Sequence, residues 1–174
     1  LWLLLLTFLS TSGYFLYLNS VENQTRLLQK EQQNFILEAE QIIQARLQSP
    51  QRDVLYLANQ YALQHYINTN QAQDLLTLTR SLEAFMASRQ DIYSQLRYLD
   101  ESGQEIIRME NKAGVVTNID NSLLQNKSER YYFKNAKTLA PNDIYISKFD
   151  LNIERGQVET PYKPVLRFVS RVYS

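Results

Sequence analysis

The sequence contains no cysteine. That excludes disulfides, thiolate nucleophiles and cysteine metal sites together, while leaving the compartment open. It contains one histidine, His65. A zinc site would then need carboxylates for nearly all its ligands, which is uncommon. A Ser-His-Asp triad would have to recruit a histidine set in "YALQHYI", a helical stretch with no nucleophile motif beside it. His65 therefore reads as structural or solvent-facing. An excess of one charge is also missing: 18 Lys and Arg face 18 Asp and Glu. With no basic stripe, the composition argues against a nucleic-acid partner. Internal repeats are absent, and the only compositional bias is glutamine near residues 23–48. The 174 residues suffice for one domain with a real core. The first residue is Leu1 rather than methionine, so the chain reads as part of a longer one.

Residues 1–18, "LWLLLLTFLSTSGYFLYL", carry no charge. About 20 apolar residues span a bilayer, and Trp2, Tyr14 and Tyr17 suit the two interfaces. The competing reading is a cleaved signal peptide, with Ser10 and Ser12 before Gly13 as the small-residue site. Apolar residues continue past that point to Leu18, which favours a retained transmembrane anchor. From Asn19 to Ser49 polar residues dominate, and Val21, Leu28, Phe35 and Ile42 recur every seven residues. Leu27, Ile36, Ala39 and Ile43 widen that seam. The spacing predicts a long exit helix that meets either its own domain or the same helix of a second subunit.

Ser49-Pro50 predicts a break and restart, since serine caps helices and proline fits a first turn. The second helix is predicted to run to Ile67, with Val54, Leu57, Ala58, Tyr61 and Ala62 on one face. A third carries Leu75, Leu78, Leu82 and Phe85 on its buried stripe. After Asp91 the period changes. Tyr93–Leu99 and Gln104–Glu110 predict two strands joined at "DESG", with Gly103 available for positive φ. Further strands are predicted at Ile144–Ser147 and Val165–Tyr173, the latter with Leu166, Phe168, Ser170 and Val172 on one side. The segment "FDLNIERGQVETPYKP" between them reads as a polar connector. The predicted class is α+β with an antiparallel sheet and flanking helices. Its domains are an anchor over 1–18, the exit helix over 19–49 and a module over 50–174. The chain stops directly after a strand, which leaves a sheet edge open and predicts that the fold continues beyond Ser174.

The chemistry concentrates in "KSERYYFKNA", Lys127–Ala136. Arginine offers a planar fork of donors that matches a carboxylate or phosphate. Tyr131, Tyr132 and Phe133 are consecutive, so on a helix only one or two of them share a wall with Arg130. Two readings stay open from the residues alone. In one, the cluster holds a small polar ligand. In the other, Tyr132 and Phe133 are core, and Arg130 caps a carbonyl or pairs with Asp143 or Asp150.

The anchor, the long helix, "YLDESGQEIIR", "RYYFKNA", "IYISKFDLN" and "DLNIERGQVETPYKPVLRF", in that order, resemble the membrane-distal half of a double Cache sensor domain. These are tandem PAS-like extracytoplasmic modules of bacterial transmembrane receptors, including histidine kinases and diguanylate cyclases. The resemblance covers essentially the whole chain. It implies a PAS-like fold, a location at the bacterial cell membrane with the domain in the periplasm or outside the cell, a small-molecule ligand carrying a carboxylate, and a homodimer through the long helix. It implies no cofactor and no catalysis by this segment. Amino-acid-binding members carry an arginine, a spacer, two aromatics, a spacer, an aspartate and an alanine. Arg130, Tyr132, Phe133 and Ala136 fit that frame, and Tyr145 falls near the tyrosine of the following strand. Tyr132 stands in place of tryptophan, Phe133 in place of tyrosine and Asn135 in place of aspartate. The candidate ligand-binding set is Arg130, Tyr132, Phe133, Tyr145 and Asp150. Two other classes compete: a membrane-anchored hydrolase using Glu101, Asp143, Asp150 or Glu154, and a structural dimerisation module.

Overall fold

The structure is a computed structural model. It describes residues 2–173, apart from the side chains of Leu3, Leu4 and Leu5. Two compact units divide the chain, one up to Gln48 and one from Ser49 onward. The first helix, α1, spans Trp2–Asn59. Within the first unit Val21, Leu28, Phe35 and Ile42 are 43%, 60%, 73% and 54% exposed, so the seven-residue seam is uncovered. Among the described residues no helix is long and apolar enough to cross a membrane. Part of the predicted anchor, residue 1 and the side chains of residues 3–5, lies outside the described residues.

The expected break at Ser49-Pro50 does not occur, because Pro50 lies inside α1. A proline in a helix interior removes one backbone donor and costs about 3 kcal/mol. Here Pro50 is buried, and buried Asp53 one turn later accepts from Tyr93 Oη at 2.6 Å and from Arg89 Nη2 at 3.4 Å. Tertiary packing thus overrides the local preference. The interruption falls at Gln60, whose extended backbone (φ −68°, ψ 144°) separates α1 from α2, Tyr61–Thr69. Gln64 Nε2 donates to the Ala58 carbonyl at 2.9 Å, and Ser81 Oγ donates to Gln60 Oε1 at 2.9 Å. The first bond satisfies a carbonyl that the break frees, while Gln60 Nε2 stays buried without a hydrogen-bond partner. Asn70, left-handed at φ 51°, ends α2.

Helix α3, Ala72–Ala87, buries Leu78, Leu82 and Met86 at four-residue spacing. They pack with Leu63, Ile107 and Met109 into the main core. The sheet behind them is β1 (Gln95–Leu99), β2 (Glu105–Lys112) and β3 (Val115–Asn118), antiparallel in that order. Its register sets Leu96 against Met109 and Tyr98 against Ile107. Those residues face α3. The opposite face carries the pairs Gln95 with Glu110 and Arg97 with Arg108. A register shift after Tyr98 then sets Leu99 against Glu105. The predicted β1 and β2 are present; β3, in "VVTN", was not anticipated.

A short helix α4, Tyr131–Ala136, follows the loop. Beyond it lie β4 (Ile144–Ile146), β5 (Asp150–Leu151), β6 (Ile153–Glu154), β7 (Gln157–Val158), β8 (Pro164–Val165) and β9 (Phe168–Ser170). They form three antiparallel pairs, β4 with β9, β5 with β8 and β6 with β7. Two expectations need correction. The segment read as a connector is itself a hairpin arm, turning at Arg155 and Gly156 with φ 51° and 77°. The segment read as one strand over Val165–Tyr173 is two short pieces, each pairing elsewhere. The fold is α+β, as predicted.

Candidate ligand-binding site

Arg130 is the residue before α4, with extended backbone (φ −77°, ψ 134°). That placement turns its guanidinium back over the Tyr132 ring, 5.7 Å from the centroid. Arg167, from the segment between β8 and β9, sits 5.1 Å from the same ring. One buried aromatic thus has two guanidiniums near it, a cation–π arrangement. Arg167 Nη1 donates to Asp150 Oδ1 at 2.5 Å, and Tyr131 Oη donates to Asp150 Oδ2 at 2.7 Å. Burial pushes the Asp150 carboxyl up, but bonds from Arg167 and Tyr131 outweigh it and leave the group below its ordinary value. Arg130 differs from Arg167 here. Its Nε is buried and has no hydrogen-bond partner.

Of the predicted residues, Arg130, Tyr132 and Asp150 come together. Phe133 is buried, with Lys137 Nζ 5.0 Å above its ring. Tyr145 is half-buried in β4 opposite Val169, and no hydrogen bond from its hydroxyl joins the cluster. Asn135 is exposed, so the missing aspartate does not remove a charge from the buried site. The alternative pairing of Arg130 with Asp150 is taken by Arg167, while Asp143 accepts from the Ala140 N–H at 3.2 Å. Tyr132, Phe133 and Arg167 also line a cleft of about 1100 Å³ that runs between β1 and the β8–β9 segment. Arg130, Tyr145 and Asp150 lie outside its lining. His65 is half-exposed and stacks on Tyr61, centroids 5.3 Å apart. Among the described residues no group of three or more His, Cys, Asp or Glu is placed to hold a metal.

Sequence reasoning missed Tyr131, Asn152 and Arg167. The signal was in "DLNIE": Asp150, Asn152 and Glu154 alternate with Leu151 and Ile153. Period-two polarity places all three on one side of an extended arm. Asp150 binds Arg167, Asn152 Oδ1 accepts from Arg167 Nη2 at 3.4 Å, and Glu154 enters a second, ionic cluster against the sheet.

In that cluster Glu154 accepts from Arg97 Nη2, from Lys127 Nζ at 3.1 Å and from Gln125 Nε2 at 3.0 Å. Arg108 Nη1 is 3.6 Å away. Burial raises the Glu154 carboxyl, yet the positive charges of Arg97, Lys127 and Arg108 prevail and hold it at about 2. Lys127 is displaced downward, first by burial and then by the neighbouring Arg97 charge, against the pull of Glu154 and Glu105. The loop that delivers Lys127 is seated on the β1–β2 turn: Lys127 N–H donates to the Gly103 carbonyl at 2.7 Å.

The model of the family described as bacterial histidine kinase, sensor domain, matches residues 23–174. The chain belongs to that family. The fold of this sensor domain is shared with two solved structures. One is the extracellular domain of vpHK1S-Z8, described as a histidine kinase, with 23% identity and TM-score 0.63 over 75% of this chain and 50% of that one. The other is a domain of a sensory box/GGDEF family protein from Vibrio parahaemolyticus, with 24% identity and TM-score 0.62 over 74% of this chain and 52% of that one. The chain therefore spans about half the length of each solved chain it matches. No curated protein matches it.

Proposed function

We propose that this domain is the extracytoplasmic ligand-binding module of a bacterial transmembrane signalling receptor. It binds a small anion, such as a carboxylate, against Arg130 and the Tyr132 ring, with Arg167 as second cation, and carries out no catalysis itself. The observation that carries the reading is the buried Arg130 Nε left without a partner beside an aromatic face. A buried donor without a partner costs about 1–3 kcal/mol, and an incoming oxygen anion would recover that. Phe133 would back the site, and Tyr145 would complete it only by moving toward Arg130. Residues 1–18 anchor the receptor at the cell membrane, and the exposed seam of Val21, Leu28, Phe35 and Ile42 meets its counterpart in a homodimer. A ligand biases the receptor by binding one packing of this assembly better than another, and α1 carries that bias toward the membrane. The family supports the sensor role, and the fold is shared with an extracellular domain, that of vpHK1S-Z8. The test is a thermal-shift screen of small carboxylates on the full chain. At least one monocarboxylate should raise the melting temperature, and Arg130→Ala should lose most of that rise. Equal stabilisation of both proteins by every such monocarboxylate would remove Arg130 from the site.

A further inference from the structure

We propose that Arg97, Arg108 and Lys127 form an anion-binding site that the chain's own Glu154 fills, and that a small dicarboxylate or phosphate competes with Glu154 for it. This site is separate from the Arg130 cluster and does not rest on the reading given for that cluster.

The cations come from three places in the fold: β1, β2 and the loop before α4. Arg108 and Lys127 are at least nine-tenths buried, and Arg97 nearly so. Their fixed counter-charges are Glu105 and Glu110, both on β2. Glu105 is fully buried, 3.3 Å from Arg97 Nε, and its Oε2 accepts the Gln125 N–H at 2.9 Å. Glu110 is bound to Arg108 and shared with Lys112 at 3.0 Å. Without Glu154, three cations would face two carboxylates, leaving one uncompensated buried positive charge. Even with Glu154 present, Arg108 Nε has no hydrogen-bond partner, and Arg97 Nε meets Glu105 Oε1 as an ion pair without a hydrogen bond. One buried guanidinium donor is left over, which suits an anion with more oxygens.

Glu154 is also the member most easily withdrawn. It ends β6, a strand of two residues, in an arm held by two two-residue ladders. Residues 155–158 at its turn are exposed. Short ladders with exposed backbone open locally at small cost. By contrast Glu105 and Glu110 are fixed in an eight-residue central strand. A burial this costly in desolvation is poor stabilisation for a fold, and perturbed ionisable groups gather at functional sites. Displacing Glu154 would free the arm that also carries Asn152 and Asp150, so occupancy here would be felt at Arg167.

The test is calorimetry of the full chain with succinate and, separately, with inorganic phosphate. A ligand that must wait for a minor open state binds more weakly by the fraction open, and minor states are populated at roughly 0.1–10%. Glu154→Ala should therefore bind one of the two probes about ten- to a thousandfold more tightly than wild type. Lys127→Met in that background should remove the gain, and Arg130→Ala should leave it intact. Equal or absent binding in wild type and Glu154→Ala overturns the proposal, as does a gain that survives Lys127→Met. If Glu154→Ala does not fold, nuclear magnetic resonance of the wild type decides. Succinate or phosphate should shift the amides of residues 152–156, and unmoved amides at saturating probe overturn the site.

Discussion

The two faces of the β1–β2 ladder are buried by opposite chemistry. Toward α3, Leu96, Tyr98, Ile107 and Met109 meet Leu78, Leu82 and Met86. Toward the hairpin arm, Arg97 and Arg108 meet Glu154, which also binds Lys127, while Glu110 binds Arg108. The apolar face gains free energy from each group it removes from water, about 25 cal/mol per Å². The ionic face has to recover a desolvation cost before it contributes anything. The first face can hold a fold together without help. The second is stable only while every charge keeps its partner, and that dependence makes it responsive.

Breaking one charge of the ionic face should have the largest effect. Arg108→Met alone should cost about 3–5 kcal/mol, because Glu110 is left buried with only the exposed Lys112 beside it and Glu154 loses one of its three cations. Adding Glu110→Leu should recover most of that loss, since an apolar pair of similar volume avoids the desolvation. Leu78→Ala, on the other face, should cost about 2–5 kcal/mol, with no single partner substitution able to restore it. Urea unfolding measures all three. Costs below about 1 kcal/mol for Arg108→Met would mean that the ionic face behaves as a surface ion pair, and the comparison would fail.

Acid should separate the faces next. Glu154 is held at about 2, below its ordinary 4.5. Its contribution is therefore fully present above pH 4.5 and is lost as pH falls toward 2, on the order of 3 kcal/mol in all. Unfolding followed from neutral pH down to the acid limit should show that loss, and Glu154→Gln should flatten it. An unchanged slope in the variant would place the acid sensitivity elsewhere.

A smaller effect is expected at Gly103, which connects the two faces through the β1–β2 turn. Its φ is +85°, and an added Cβ would lie 2.6 Å from the Ser128 backbone nitrogen. Gly103→Ala should cost about 1–3 kcal/mol from strain and should loosen Lys127, whose N–H binds the Gly103 carbonyl. Hydrogen exchange at Lys127 should quicken while exchange at Met109 changes little. Uniform change at both would mean that the turn supports the whole sheet.

The apolar face was legible in the sequence because its signal is local. Leu75, Leu78 and Leu82 repeat at helical spacing, and "DESG" between two alternating runs predicts the hairpin. The ionic face was not. Arg97 and Arg108 carry no local mark that sets them apart in their strands, because their partners Lys127 and Glu154 come from 30 and 57 positions further along than Arg97. The arm itself was misread because its one alternating stretch, "DLNIE", is only five residues long and runs straight into the polar "RGQVETPYKP". In the candidate site the motif "KSERYYFKNA" pointed to Arg130 and Tyr132, and the fold brings Asp150 near them. Arg167 was missed, since "VLRF" reads as strand and a single arginine in it carries no local mark. At Pro50 the local rule was sound, and tertiary packing outweighed it.

The central claim is that Arg130 holds the anionic group of a small ligand against Tyr132. Calorimetry of the carboxylate identified by thermal shift, on wild type, Arg130→Ala and Arg130→Lys, tests it directly. A charge-assisted hydrogen bond contributes about 1.5–3 kcal/mol, so Arg130→Ala should bind roughly ten- to a hundredfold more weakly. Arg130→Lys should recover only part of the loss, because an ammonium lacks the planar fork. Unfolding midpoints of the three proteins should stay close, as the lost cation–π contact with Tyr132 is offset by removal of the unpaired buried Nε. Binding by Arg130→Ala as tight as wild type would contradict the account and leave Arg130 as a lid on Tyr132 and nothing more.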